Sequence, residues 1–118
     1  MSQFVEYLHE VFEDFGPISV RRMFGGHGIF FDQLMFGLVA DDVLYLKASD
    51  QTRHWFEDLE LEKFAYNKAG KIMHLSYFRA PEDIYEDREL AALWARRAFD
   101  AALRANRPKK KSKKKTVN

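Results

Sequence analysis

The chain has 118 residues, 47% of them apolar, with eleven Phe, five Tyr, two Trp and no Cys. That composition supports one domain with a real core and excludes a disulfide framework, a thiolate metal site and a cysteine nucleophile. The formal charge of +1 averages two unlike parts: Arg107, Lys109, Lys110, Lys111, Lys113, Lys114 and Lys115 leave 12 Lys and Arg against 18 Asp and Glu in residues 1–106, a net of −6. A body of that charge repels nucleic acid on average, whereas a solvated lysine run attracts phosphate by releasing counterions. The division expected is a folded domain over residues 1–106 and a disordered lysine-rich tail over 107–118. Glu6, His9, Glu10, Glu13 and Asp14 interrupt the first fifteen residues, which no secretory apolar segment tolerates. No apolar stretch approaches the ~20 residues that span a bilayer, so a cytoplasmic protein without membrane contact is expected.

In chain order, Phe4, Leu8, Val11, Phe12 and Phe15 recur at helical spacing, with Ser2 as N-cap and Gly16-Pro17 as stop. The period then changes. Four short runs rich in β-branched and aromatic residues predict strands at Ile18–Phe24, Gly28–Phe31, Met35–Ala40 and Val43–Ala48. Gly25-Gly26, Asp32-Gln33 and Asp41-Asp42 supply the turns between them. Strands joined so briefly must be antiparallel neighbours, and a meander is the simplest arrangement. A helix follows at Asp50–Leu59, capped by Ser49 or Asp50 and burying Trp55, Phe56 and Leu59. Strands at Phe64–Tyr66 and Ile72–Phe78 come next, joined by a turn over Asn67–Lys71. Ala80-Pro81-Glu82-Asp83 has the character of a helix start. Asp87 caps a last helix with Leu90, Trp94, Ala98 and Ala101 on one face. The sum is an α+β two-layer domain: an antiparallel β-meander sheet with N-terminal and C-terminal helices packed on it. In Val43-Leu44-Tyr45-Leu46 both strand faces are apolar, which predicts a cover over the second face, from an extra helix or a second subunit.

The motifs argue against familiar chemistries. Gly25-Gly26-His27-Gly28 is followed by Ile29-Phe30-Phe31, which continues as strand, so no helix N-terminus waits for a pyrophosphate. Glycines at a hairpin, supplying positive φ or close backbone approach, are the favoured explanation. His9, His27, His54 and His74 form no metal-binding motif, no serine stands in a Gly-x-Ser-x-Gly elbow, and the carboxylates cluster where helix starts and turns explain them. No cofactor, metal or catalytic residue is therefore expected. Arg21 and Arg22 sit on one strand and point to opposite faces, so at least one is expected to meet other elements. Its ordinary role would be a carboxylate pair, with anion or partner binding as the sharper alternative.

The run Arg22-Met23-Phe24-Gly25-Gly26-His27-Gly28-Ile29-Phe30-Phe31-Asp32 resembles the opening signature of the TfoX N-terminal domain family. The likeness continues through Met35-Phe36-Gly37-Leu38-Val39-Ala40-Asp41-Asp42-Val43-Leu44-Tyr45-Leu46-Lys47. It resumes at Phe64-Ala65-Tyr66, Met73, Ser76-Tyr77-Phe78 and Ala80-Pro81-Glu82, covering about residues 4–105. Gln33 departs from the Asp-Gly turn of many members and leaves that turn type open. The resemblance implies an α+β interaction module capable of dimerising. Full-length members regulate bacterial competence genes, as coactivators beside the cyclic-AMP receptor protein, and carry a C-terminal domain where this chain has its lysine tail. It brings no catalytic residues.

The function expected is a non-enzymatic regulatory and protein-interaction domain, a transcriptional coregulator of the competence type. Its partner would be a protein of the transcription machinery or a regulator, with a homodimer as a further possibility. Arg21, Arg22, His27 and Lys47 are the candidate partner-binding residues. Lys109, Lys110, Lys111, Lys113, Lys114 and Lys115 are the candidates for nucleic acid. Two alternatives stand beside this: a nonspecific nucleic-acid-associated protein that binds through the tail, and a small-molecule enzyme, which a pocket joining His27 to Arg22 or His74 would reveal.

Overall fold

The computed structural model describes residues 2–23 and 25–106, so the six tail lysines lie outside the described residues. Helix α1 spans Gln3–Val11, and Ser2 Oγ accepts from the Val5 N–H at 3.2 Å as an N-cap. The apolar spacing runs on to Phe15, but the helix ends at Val11 and residues 12–15 loosen into a turn. Phe12 and Phe15 still reach the core from there.

Four strands follow as a meander: β1 (Ser19–Met23), β2 (Gly26–Phe31), β3 (Leu34–Ala40) and β4 (Val43–Lys47). Phe31 pairs with Leu34 and Ala40 with Val43, leaving two-residue loops. Asp32, Gln33, Asp41 and Asp42 all have φ between 51° and 67°. Positive φ at both central residues matches the right-handed twist of the flanking strands and marks a type I′ turn. Gln33 therefore occupies a left-handed position without glycine's freedom, at φ 67°. Gly25, in the loop between β1 and β2, has φ 76°, and a Cβ on Gly26 would lie 2.1 Å from the Val39 carbonyl oxygen. The glycine run is architectural, as its context in the sequence implies.

Helix α2 (Arg53–Asp58) is shorter than the spacing predicts. Neither Ser49 nor Asp50 caps it: Ser49 Oγ accepts from the Gln51 N–H, and the Ser49 N–H donates to Thr52 Oγ1 at 2.9 Å. These local bonds hold residues 49–52 in a turn and delay the helix start. Strands β5 (Lys63–Lys68) and β6 (Lys71–Arg79) then form a hairpin about Ala69-Gly70, a tighter loop than Asn67–Lys71. The simple meander ends here. The sheet order is β1-β2-β3-β4-β6-β5, because the α2 connection lets the hairpin's second strand take the free edge of β4. A 3₁₀ turn at Glu82–Glu86 leads to α3 (Arg88–Ala105), where Asp87 accepts from the Leu90 N–H at 3.1 Å.

The helices lie on one face of the sheet. Phe12 and Phe15 from the α1 side meet Phe36 at ring separations of 5.7 and 5.3 Å, and Phe99 of α3 closes on Phe15 and Phe31. Phe56 of α2 is fully buried between Phe78 at 5.1 Å and Trp94 at 5.0 Å. A register shift between Ile29 and Phe30 sets Phe36 as an extra residue in β3, so Phe36, Gly37 and Val39 serve the helix side while Met35 and Leu38 serve the other.

Candidate functional site: the open face of the sheet

Within this chain the face turned away from the helices is partly covered, though not by an extra helix. The cover is the chain's own β5–β6 hairpin. Lys63 pairs with Phe78 but Ala65 with His74, so β6 holds two more residues than β5 over that interval. The extra length bends the hairpin into an arm that lies over the sheet. Phe64 and Tyr66 from β5 and Leu75 from β6 face Leu38, Ala40 and Gly26 across a cleft of about 140 Å³. This explains why Leu38 is only 2% exposed although no helix touches its face. The aromatic rings form a series along the arm: Tyr45 meets Phe64 edge-on at 4.9 Å, and Phe64 stacks on Tyr66 at 6.0 Å. Tyr66 and Met73 remain more than a third exposed, and Ile72 near the tip is 61% exposed.

Charge is sorted by element. All 18 carboxylates stand on helices, turns and loops, and none lies within a strand, whereas seven of the twelve Lys and Arg of residues 1–106 do. Cross-strand pairing strings Arg21, Gly28, Leu38, Tyr45 and Arg79 into one row across the open face. Arg21 lies 4.7 Å above the Phe30 ring and Lys47 5.2 Å from that of Tyr77. Burial lowers the Lys47 pKa and lifts Tyr77 to about 12. Tyr45 is raised first by burial, then by the charge of Glu62 and more weakly by Asp41, with Arg79 opposing. Those two carboxylates mark the acidic end of the face.

The four residues expected at a partner site divide between the two faces. Arg21 and Lys47 belong to the open face. Arg22 and His27 pair with each other across β1 and β2 on the opposite side. Both arginines are exposed, contrary to the expectation that one would be covered, because β1 is an edge strand with little laid over it. Among the described residues neither joins an ion pair. Of the groups named for an enzyme pocket, Arg22 and His27 are therefore neighbours, while His74 sits opposite Ala65 on the arm. Among the described residues, no group of three His, Asp or Glu is close enough to hold a metal ion, and no helix is long and apolar enough to cross a membrane. Leu38, Tyr45, Phe64, Tyr66 and Leu75 were not singled out as a site by the sequence. The available signals were the two apolar faces of β4 and the Phe64-x-Tyr66 alternation.

A family model described as the TfoX N-terminal domain matches residues 10–102. The chain belongs to that family. Two relatives carry the likeness. Protein Sxy of Escherichia coli (strain K12) is 28% identical over 89 residues, covering 75% of this chain and 43% of that protein. DNA transformation protein TfoX1 of Aliivibrio fischeri (strain ATCC 700601 / ES114) is 34% identical over 82 residues, covering 70% and 39%. The chain thus spans about two-fifths of the length of these curated relatives. In this TfoX N-terminal domain the helix side is packed by α1, α2 and α3, and the open face keeps a cleft beneath the arm.

Proposed function

We propose that this TfoX N-terminal domain is a non-enzymatic regulatory module of the cytoplasm that acts in transcriptional control of the competence type, by contact through its open sheet face. The observation that carries the reading is the cleft under the arm. It is concave, apolar and aromatic, it contains no strand carboxylate, and apart from Val39 its lining residues lie outside the helix-side core. An exposed aromatic such as Tyr66 beside an apolar hollow is the usual makeup of a contact hot spot. The family membership and a relative named as a DNA transformation protein supply the regulatory setting. Fold alone would not give it.

The test is transcript profiling of the source cell with the gene deleted and then restored as wild type, Tyr66→Ala or Arg53→Gln. Wild type and Arg53→Gln should restore the profile, including any DNA-uptake genes, and Tyr66→Ala should not. Full restoration by a stably folded Tyr66→Ala chain would contradict the reading.

A further inference from the structure

We propose that the cleft receives an unpaired nucleobase, so that the open face holds a single-stranded nucleic acid. This rests on the open face being the contact surface and names its partner. Size is the first argument. A cavity of about 150 Å³ takes a benzene ring, and the cleft, at about 140 Å³, is matched to one planar ring. Its walls suit a base: Leu38 and Leu75 are apolar, and Phe64 and Tyr66 line it with aromatic rings. Base-on-aromatic stacking of this kind is available only when the base is out of a duplex.

Charge is the second argument. The arm segment from Lys63 to Arg79 carries Lys63, Lys68, Lys71 and Arg79 and no carboxylate, in a body whose net charge is −6. Phosphates would follow Lys68 and Lys71 at the arm's tip and Lys47 on the sheet, while Asp41, next in sequence to the cleft-lining Ala40, and Glu62 keep phosphate off the Ala40 end of the cleft. The third argument is where the described chain ends. Asn106 lines a shallow hollow with Met35, Lys47 and Tyr77 at the rim of the open face, and the next nine residues in sequence hold seven Lys and Arg. A peptide of acidic residues alone would satisfy the lysines and leave the cleft without a ring. A second copy of the arm would set Lys68 and Lys71 against their own kind.

The test is fluorescence anisotropy with the full chain at low salt, using labelled oligo(dT), a duplex of equal length, and polyglutamate as competitor. The account expects oligo(dT) to bind best and Tyr66→Ala to weaken it about 5- to 150-fold, the range for loss of one stacked base. Tyr66→Trp should retain binding. Lys68→Gln with Lys71→Gln should weaken it more than the charge-matched pair Arg53→Gln with Arg88→Gln. Equal affinity for duplex, displacement by polyglutamate as effective as by oligo(dT), or unchanged binding by Tyr66→Ala would each overturn the proposal. So would binding that vanishes only when the tail lysines become serine. Absence of oligo(dT) binding, with the transcript effect of Tyr66→Ala intact, would sink the nucleobase and leave the contact surface standing. Oligo(dT) binding lost in Tyr66→Ala without any transcript effect would instead sink the regulatory reading.

Discussion

The two faces of the sheet are built from similar residues and do different work. On the helix side, Phe12, Phe36, Phe56, Leu44 and Leu46 are sealed by α1, α2 and α3, and each ring has partners in all directions. On the other side, Tyr45, Phe64 and Tyr66 pack in series, Phe64 and Tyr66 face Leu38 across a cleft, and all three keep part of their surface in water. Aromatic content alone therefore says little about burial. What separates core from surface is whether a helix with a matching apolar stripe is available to close the face.

The largest expected effect sharpens that contrast through paired truncations. Phe56→Ala should cost about 3–5 kcal/mol, because a fully buried ring leaves a cavity. Tyr66→Ala should cost less than about 1 kcal/mol. Urea unfolding of both checks the ratio, and comparable losses would break the distinction between the faces. Alkaline pH probes the contrast next. Tyr77 at the open side and Tyr85 beneath α1 are both raised to about 12 from 10, Tyr77 by burial alone and Tyr85 by burial first and then by Glu82. A phenol whose pKa is higher folded than unfolded gives stability that is complete below pH 10 and lost as pH rises toward about 12. Tyr77→Phe should remove part of that alkaline loss, on the order of 2 kcal/mol, in denaturant titrations between those limits.

Smaller effects follow at the rim. Gln33→Gly should stabilise by up to about 1 kcal/mol by relieving a left-handed glutamine in a type I′ turn, read as a rise in Tm. The Arg88 bridges to Glu13 at 2.6 Å and Glu10 at 3.2 Å tie α3 to α1, but all three side chains are about half exposed or more. Arg88→Ala should therefore cost less than about 1 kcal/mol, and high salt should erase the difference.

The helix side was largely legible in the sequence, because its signals are local. Ser2 and Asp87 cap where their chemistry predicts, and the loops Asp32-Gln33 and Asp41-Asp42 fall where the sequence places them. The open face was legible only as an unexplained surplus of apolar residues in β4. Its cover depends on the two-residue mismatch between β5 and β6 and on which hairpin strand reaches β4, both long-range facts that no local pattern encodes. Arg21 and Lys47 were found from sequence because charges within strands are conspicuous. Arg22 and His27 were grouped with them although the strand period assigns them to the opposite face.

The central claim is that the helix side holds the fold and the open face holds the partner. Amide chemical-shift mapping of the full chain titrated with oligo(dT) tests it most directly. The account predicts the largest shifts at Leu38, Tyr45, Tyr66 and Lys71, with the helix-side residues Leu8, Phe56 and Ala98 unmoved. Shifts confined to Arg107 and the tail lysines, with the arm silent, would contradict it.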